Sequence, residues 1–451
     1  MNRKENKMAD MKMGKLIAAI SVPLMISMLV QALYNIVDGV FVAKISEHAL
    51  TATSIAYPAQ MLMLAVAVGT GVGINSLLSR RLGQKDYDGV NRVATTGLLL
   101  SLISSLVFIL FGIFGTRLFI GAFADNAEIE ALGIQYLQIC MIGCSGIFLA
   151  TTGERLLQST GNTFLSMIAQ AFGAVINIIL DPLLIFGVGI FPKMGIQGAA
   201  LATVIGQWGA AVMALALNAR KNPDIHFILK GFRFQRDLTL EIYKVGVPTM
   251  IMQTMGSLMM IAMNAFLIRY TSTAVAAFGV YYKLYTFVYM PVSGLAQGLI
   301  PIIGFNYGAK NGKRVMDAYR ITLKASIATM IFGTVLFLLI PSQLLGLYGA
   351  SEEMLGIGIP MLRIMGCTFP FAAVTITIGF ACSGLGNGMV SMVGTLLRQL
   401  LLLVPLAWLF GRSWGIHAVW YAGWISEGCA MIYALFSFRG QYRKKVRSLL
   451  Q

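Results

Sequence analysis

Long, uninterrupted blocks of apolar residues limit the possible folds of this chain more than any other feature. Of its 451 residues, 57% are hydrophobic and only 12% are charged, whereas about a quarter of the residues of a soluble domain are charged. Each block is long enough to cross about 30 Å of hydrocarbon as a helix. Outer-membrane barrels are excluded because their strands alternate apolar and polar residues. The sequence therefore predicts an all-α polytopic membrane protein.

Polar breaks divide the apolar sequence into twelve predicted transmembrane helices. The longest break separates six spans from six, which predicts an N-terminal lobe (1–220), a cytoplasmic linker (221–240) and a C-terminal lobe (241–451). The predicted spans are 15–43, 50–79, 93–117, 129–153, 163–187, 195–217, 242–269, 274–305, 321–345, 354–383, 389–411 and 415–438.

The two halves of the sequence repeat each other. The gapless shift that lays Pro23 on Pro248 pairs identical residues along most of the first half: Tyr57 with Tyr282, Gly83 with Gly308, Lys85 with Lys310 and Gly161 with Gly386. After a loop that is shorter in the second half, Gly195 pairs with Gly415. An even number of spans in each repeat makes the two repeats parallel, an arrangement common in secondary transporters. We therefore expect two six-helix repeats around a central cavity.

The basic residues predict the orientation of the chain in the membrane. If the N-terminus is cytoplasmic, 26 of the 34 Lys and Arg residues lie on the cytoplasmic side and only five on the other. This asymmetry follows the positive-inside rule and predicts that both termini are cytoplasmic. The net charge of +16 thus lies in loops and termini, so we expect no nucleic-acid partner.

Two acidic residues lie inside apolar spans at similar predicted depth. Asp38 is in the first span, and Asn177 and Asp181 are four residues apart in the fifth, which places the latter two on one helix face. A carboxylate at the bilayer centre costs about 2.5–3.5 kcal/mol on the mildest scale, and such residues usually mark ion or substrate paths. The alternative is that each acid caps a helix end or reaches to the interface.

The repeat favours the functional interpretation. The same gapless shift takes Asp38 to Met263, Asn177 to Leu402 and Asp181 to Leu406. Acids with a structural role would be expected in both halves. Cation coupling is therefore predicted in the N-terminal lobe.

Several motifs resemble those of the multidrug and toxic compound extrusion (MATE) transporters, in particular the prokaryotic MepA-like and DinF-like branch. A proline in the first span lies fifteen residues before an aspartate, as Pro23 lies before Asp38. The fifth span carries an Asn-x-x-x-Asp pair, here Asn177 and Asp181, and the sixth places a threonine nearby, matched by Thr203. Some members carry acids in the seventh and tenth spans, which this chain lacks.

The resemblance implies an exporter of cationic, amphipathic drugs or toxic metabolites, coupled to H⁺ or Na⁺ antiport. Asp38, Asn177, Asp181 and Thr203 would form the cation site, and would be the metal ligands if Na⁺ is the coupling ion. Pro23 interrupts the first helix and is the predicted hinge. We expect a monomer in the lipid bilayer, with no cofactor and no enzymatic activity.

Less specific sequence patterns suggest which residues line the drug cavity, and they do not decide the roles of two charged residues. Flexible methionines suit promiscuous binding surfaces, although they are also ordinary membrane filler. Glu427 either is a second proton-linked group or pairs with Arg398 or Arg363, and Lys283 receives no assignment. The predicted drug cavity comprises Gln31, Tyr34, Asn35, Tyr136, Gln170, Met259, Met260, Met263, Tyr281 and Tyr282.

Two other functions compete with export. A lipid-linked oligosaccharide flippase of the same superfamily requires a basic cavity for its pyrophosphate, but the intramembrane cations are scattered in one half. An intramembrane protease with two aspartates would use them as general acid and base, but its Gly-x-Gly-Asp signature is absent.

Overall fold

The computed structural model describes residues 6–124, 126–228 and 234–449, and every regular element within them is helical. Three short irregular helices interrupt or follow the α-helices: π-helical Leu397–Leu401 and Tyr442–Val446, and 3₁₀-helical Arg447–Leu449. The α-helices are α1 (Lys7–Asp10), α2 (Met13–Ala43), α3 (Glu47–Gly83), α4 (Tyr87–Phe114), α5 (Thr116–Gly121), α6 (Ala127–Ile142), α7 (Ser145–Ser159), α8 (Thr163–Phe186), α9 (Ile196–Lys221), α10 (Arg236–Leu267), α11 (Ser272–Gly308), α12 (Gly312–Leu339), α13 (Pro341–Gly346), α14 (Glu352–Gly366), α15 (Phe369–Gly384), α16 (Met389–Leu396), α17 (Leu403–Trp414), α18 (Ile416–Val419) and α19 (Ala422–Gln441).

The predicted transmembrane helices are confirmed in approximate position. In the described ranges, nine continuous segments are long and apolar enough to cross a membrane, and two bent pairs of helices raise the number to eleven. The bent pairs are α6 with α7, at 44°, and α14 with α15, at 49°. The predicted twelfth span coincides with α18 and α19. The chain is an all-α membrane protein with the predicted twelve-helix, two-repeat arrangement.

The backbone confirms the internal repeat. Lys85 (φ 59°) and Lys310 (φ 56°) are partners in the repeat and are the two residues other than glycine with positive φ in the described ranges. Each is followed by a side-chain cap, in which Asp86 accepts from the Gly89 amide and Asn311 from the Arg314 amide. Left-handed glycines recur at the predicted pairings: Gly161 with Gly386, and Gly195 with Gly415.

Contacts within the chain define two compact units. The first comprises the chain up to Lys7 and Ile26–Met250, and the second comprises Met8–Met25 and Ile251–Gln451. Two of the three boundaries, after Met25 and after Met250, lie two residues beyond a helix-interrupting proline, Pro23 in α2 and Pro248 in α10. The predicted lobes 1–220 and 241–451 differ from these units because they place each of these two helices in a single lobe.

The hydrophobic cores of the two units are built from different side chains. In the first unit, alanines along one face of α3, including Ala49, Ala52 and Ala56, pack with Tyr136 and Phe148. The second core is aromatic, with the rings of Phe278 and Trp420 stacked at 6.4 Å, Phe337 against Phe369 at 4.9 Å, and Tyr285 against Phe369 at 5.5 Å. Small residues on α3 allow neighbouring helices to approach closely, whereas bulky rings form the core of the second unit.

Candidate ion-coupling site

Two glycines bring α8 and α9 of the first unit into backbone contact. A Cβ atom on Gly206 would lie 2.8 Å from the Gly173 carbonyl oxygen and 3.0 Å from the Asn177 Cβ. A Cβ on Gly173 would lie 2.6 Å from the Gly206 oxygen. Only glycine fits such an approach between two helices. The crossing places Asn177, one turn after Gly173, directly against Thr203 of α9.

Asn177 links Asp181 to α9. In the amide orientation that satisfies both neighbours, its Nδ2 donates to Asp181 Oδ2 at 3.1 Å and its Oδ1 accepts from the Thr203 backbone N–H at 3.1 Å. Asp181 is fully buried, while Asn177 is 2% exposed and Thr203 is 6% exposed. The amide therefore holds the carboxylate in a fixed position within the helix pair.

Asp38 approaches this group from α2. Its Oδ1 atom is buried and has no hydrogen-bond partner among the described residues. The Asp38 and Asp181 carboxylates lie within electrostatic range of each other. Tyr34, one turn earlier on α2, lies within hydrogen-bonding reach of Thr203 and within electrostatic range of both acids. The structure thus brings Asp38, Asn177, Asp181 and Thr203 together, with Tyr34 as an additional member.

Sequence reasoning missed three residues next to this cluster. Gln60 of α3 lies within hydrogen-bonding reach of Tyr136 and Cys140 of α6, and these two lie within electrostatic range of Asp38. Pro182 follows Asp181 directly and cannot donate the helical hydrogen bond at that position. Pro182 was visible as a proline beside an intramembrane acid. Gln60 and Cys140, being neutral, gave no comparable signal.

The electrostatics of the cluster are those of an unbalanced acid pair. In the described parts of the chain, neither Asp38 nor Asp181 forms an ion pair. The same residues include no group of three or more His, Cys, Asp and Glu side chains suited to a metal ion. The polar groups at hand are carboxylates, an amide and hydroxyls, and such oxygens suit protons and hard cations. This arrangement is suited to binding a small cation reversibly.

The other predicted cavity residues are distributed between different environments. Met259, Tyr281 and Tyr282 line a cavity inside the second unit. Met263 lies in the core of that unit at 1% exposure, and Met260 packs against the same core. Gln31 and Asn35 are exposed, and Gln170 is half-buried.

Glu427 pairs with Arg398. Arg398 Nε donates to Glu427 Oε1 at 3.0 Å, and Arg398 Nη2 lies 2.9 Å from the same oxygen in an ion pair. Its Nη2 also donates to the Tyr285 hydroxyl at 2.8 Å. The interpretation of Glu427 as half of an ion pair with Arg398, rather than Arg363, is confirmed. Lys283, left unassigned above, lies over the Tyr348 ring at 5.7 Å from its centroid.

Comparisons with known proteins give consistent matches over the whole chain. The multidrug export protein MepA of Staphylococcus saprophyticus subsp. saprophyticus is 25% identical over 417 residues, which cover 91% of this chain and 90% of the relative. A crystal structure of MATE in the bent conformation superposes with a TM-score of 0.92 at 26% identity, covering 100% of both chains. MATE in the straight conformation gives 0.90 at 26% identity, covering 100% of this chain and 99% of the other.

The family model matches the sequence twice. The MatE family model covers residues 23–183 and 248–409, so its two matches begin at Pro23 and Pro248, which are partners in the repeat. Together they span well over half of the chain. The chain therefore belongs to the MatE family of MATE transporters.

Proposed function

We propose that this protein is a multidrug exporter driven by cation antiport, with the coupling site at Asp38, Asn177, Asp181 and Thr203. The observation that carries the proposal is the pair of intramembrane acids, neither of which forms an ion pair among the described residues. Two carboxylates in a poorly hydrated space cannot both stay ionised without a counter-charge. The relatives named as multidrug export proteins support drugs as the substrate class.

The orientation of Asn177 favours H⁺ over Na⁺ as the coupling ion. Its amide oxygen accepts from the Thr203 backbone and its nitrogen faces Asp181, so only one of the two lone pairs of the amide oxygen is left for a metal ion. The Thr203 hydroxyl is already within reach of Tyr34. The carboxylates then remain as the principal ligands, which is a small set for a hard cation. A proton needs only one carboxylate oxygen, such as the unpartnered Asp38 Oδ1.

Transport follows from unequal binding of the ion to two conformations of the first helix. Protonation from outside neutralises the acid pair, and α2 then repacks around Pro23 so that a bound drug is expelled. Release of the proton to the cytoplasm restores the charge and resets the site. An ion drives this cycle only through its different affinity for the two states. Structures of MATE neighbours are described as bent and as straight conformations, which supports a transporter with more than one conformation.

The proposal extends to the setting of the protein. The 26 basic residues on the predicted cytoplasmic side support cytoplasmic termini, and a bacterial plasma membrane gives the exporter its proton gradient. Mostly cationic, amphipathic compounds are the proposed cargo of a monomeric transporter. Such compounds are attracted to anionic membrane surfaces and accumulate in cells with a negative interior potential.

The decisive experiment measures ethidium efflux from proteoliposomes under an imposed pH gradient and, separately, a sodium gradient. We expect the pH gradient to drive efflux by the wild type, and Asp38→Asn and Asp181→Asn each to abolish the driven component. The exposed Asp88→Asn is the matched control because it removes an acid outside the cluster. Wild-type rates in Asp38→Asn would contradict the coupling site, and efflux driven by sodium alone would replace H⁺ with Na⁺.

A further inference from the structure

The second unit contains a small cavity built around its ion pair. The cavity has a volume of ≈40 Å³ and is lined by Arg398, Glu427, Gln399 and Tyr285, with Tyr281 and Tyr282 among its walls. A water molecule needs about 10–15 Å³ of such space. The cavity therefore holds an amino group or a few waters, but not a whole drug.

The fold does not require the charges in this cavity. In the repeat, Arg398 corresponds to Gly173 and, beyond the shortened loop, Glu427 corresponds to Gln207, and both of these partners are uncharged. The same pair of helices thus packs in the first unit without an ion pair. Buried ion pairs also seldom stabilise a protein more than apolar residues of similar volume. The charges of the second unit therefore call for a role other than packing.

The hydrogen bonds of the cavity leave acceptors without donors. Arg398 Nε donates to Glu427 Oε1, while Arg398 Nη2 donates to Tyr285 and lies in ion-pair contact with the same Glu427 oxygen. Glu427 Oε2 and Gln399 Oε1 are buried and have no hydrogen-bond partner in the described ranges. A buried acceptor without a donor carries a desolvation penalty. A ligand that brings N–H groups into the cavity removes this penalty.

We propose that this cavity is a binding site for the N–H-bearing end of a transported aromatic amine. Glu427 Oε2 and Gln399 Oε1 accept its hydrogen bonds, and the rings of Tyr281 and Tyr282 contact its aromatic part. Because Arg398 already balances the charge of Glu427, the site selects ligands by hydrogen-bond donation rather than by positive charge. The inference rests on the proposed function in one respect, that the occupant is a transported compound.

The test measures direct binding to the purified full chain in lipid nanodiscs with two probes. Ethidium carries two aromatic amino groups, whereas tetraphenylphosphonium is a cation without N–H groups. The variants are the double Arg398→Met/Glu427→Leu, which removes the pair together, and Gln399→Leu, which keeps the pair. Gln207→Leu is the matched control, since Gln207 is the repeat partner of Glu427 in the first unit.

We expect ethidium to bind about tenfold more weakly to the double variant, the loss of about one hydrogen bond to a charged group. Gln399→Leu should weaken ethidium less, and tetraphenylphosphonium should be unaffected in both. Unchanged ethidium binding in both variants would overturn the proposal and leave a cavity that holds water only. Equal weakening of the two probes would also overturn it, because the effect would then be structural.

The same preparation separates this inference from the proposed function. Asp38→Asn should still bind ethidium in nanodiscs while losing driven efflux in proteoliposomes. If the wild type shows no gradient-driven efflux, the proposed function fails while the difference between the two probes still stands. If the gradient drives efflux but the variants bind both probes as tightly as the wild type does, only the cavity assignment fails.

Discussion

The first and second units carry their polar groups at different positions of the same repeat, and the packing of the helices differs accordingly. In the first unit, Gly173 and Gly206 bring α8 and α9 together so closely that a Cβ on either would meet the other's carbonyl oxygen. At the corresponding positions the second unit has Arg398 and Ser426, and both line its cavity. The two glycines let the helices of the first unit pack closely beside the acids, whereas the larger side chains of the second unit line a cavity.

The same comparison separates unbalanced from balanced charge. The acids of the first unit form no ion pair in the described ranges, whereas Glu427 is paired with Arg398 at 2.9 Å. A group of two carboxylates changes its net charge when a proton binds, so it responds to an ion gradient. An Arg–Glu pair is neutral as it stands and needs no ion from solution. This difference supports the proposals that the first unit carries the coupling site and that the second unit contacts the ligand.

The largest expected effect concerns the stability of the second unit. Arg398→Met leaves Glu427 buried without its partner, which should reduce the free energy of unfolding by about 3–5 kcal/mol. Adding Glu427→Leu should restore most of this loss, since an apolar pair of similar volume is often neutral or stabilising. Thermal unfolding of the purified variants, analysed as a double-mutant cycle with Glu427→Leu alone, measures the coupling.

If the stability losses of the two single variants add up in the double variant, the two side chains do not stabilise each other. The interpretation of Arg398 and Glu427 as a balanced ion pair would then fail. The ethidium assay on the same proteins provides a second measurement. Gradient-driven ethidium efflux should persist in the double variant, reduced only by its weaker ethidium binding, because the acid pair of the first unit is intact.

Sequence alone was sufficient for the elements that depend on local pattern. The twelve spans follow from continuous apolar blocks, and the pairing of Lys85 with Lys310 gave the repeat that the backbone confirms. The i, i+4 spacing placed Asn177 and Asp181 on one face, and their contact is present. These features need only helix geometry and the length of a membrane span.

Features that depend on packing between distant segments could not be predicted from the sequence. Arg398 and Arg363 were equally available to Glu427, because spacing does not fix how helices are rotated about their axes. The division of α2 at Met25 and Ile26 depends on which neighbours each part contacts. Gln60 is uncharged, so nothing in its sequence context distinguished it from an ordinary polar residue.

The second prediction tests the close crossing of α8 and α9. Gly206→Ala places a Cβ against the rigid Gly173 carbonyl, whereas Gly209→Ala meets mainly the end of the flexible Ile176 side chain, 2.5 Å from its Cδ1. We expect Gly206→Ala to cost about 1–3 kcal/mol, as overpacking does, and to slow driven efflux by displacing Asn177. Gly209→Ala should cost less because Ile176 can change rotamer.

Thermal unfolding and ethidium efflux on the two glycine variants measure these effects. If Gly209→Ala is as damaging as Gly206→Ala, the glycine contact does not position the acid cluster. The comparison between a closed and an open crossing would then lose its functional meaning.

The smallest expected effect follows from removing the Thr203 hydroxyl, and its size distinguishes H⁺ from Na⁺ as the coupling ion. Thr203→Val removes Oγ1 but retains the backbone N–H that donates to Asn177. If a proton is the coupling ion, the acids carry it without the hydroxyl, and the proton dependence of efflux should change by less than about twofold. If Na⁺ is the ion, loss of an oxygen ligand from a small set should weaken its binding by about tenfold, as for one hydrogen bond to a charged group.

Efflux rates at graded external pH and graded sodium concentration, in wild type and Thr203→Val, provide this measurement. Tyr34→Phe is the matched control, because it removes the other hydroxyl of the Tyr34–Thr203 contact while leaving Thr203 free to bind an ion. A sodium dependence that weakens in Thr203→Val but not in Tyr34→Phe would identify Thr203 as a sodium ligand. The acids of the first unit would then be metal ligands rather than proton carriers, and its contrast with the charge-balanced second unit would remain.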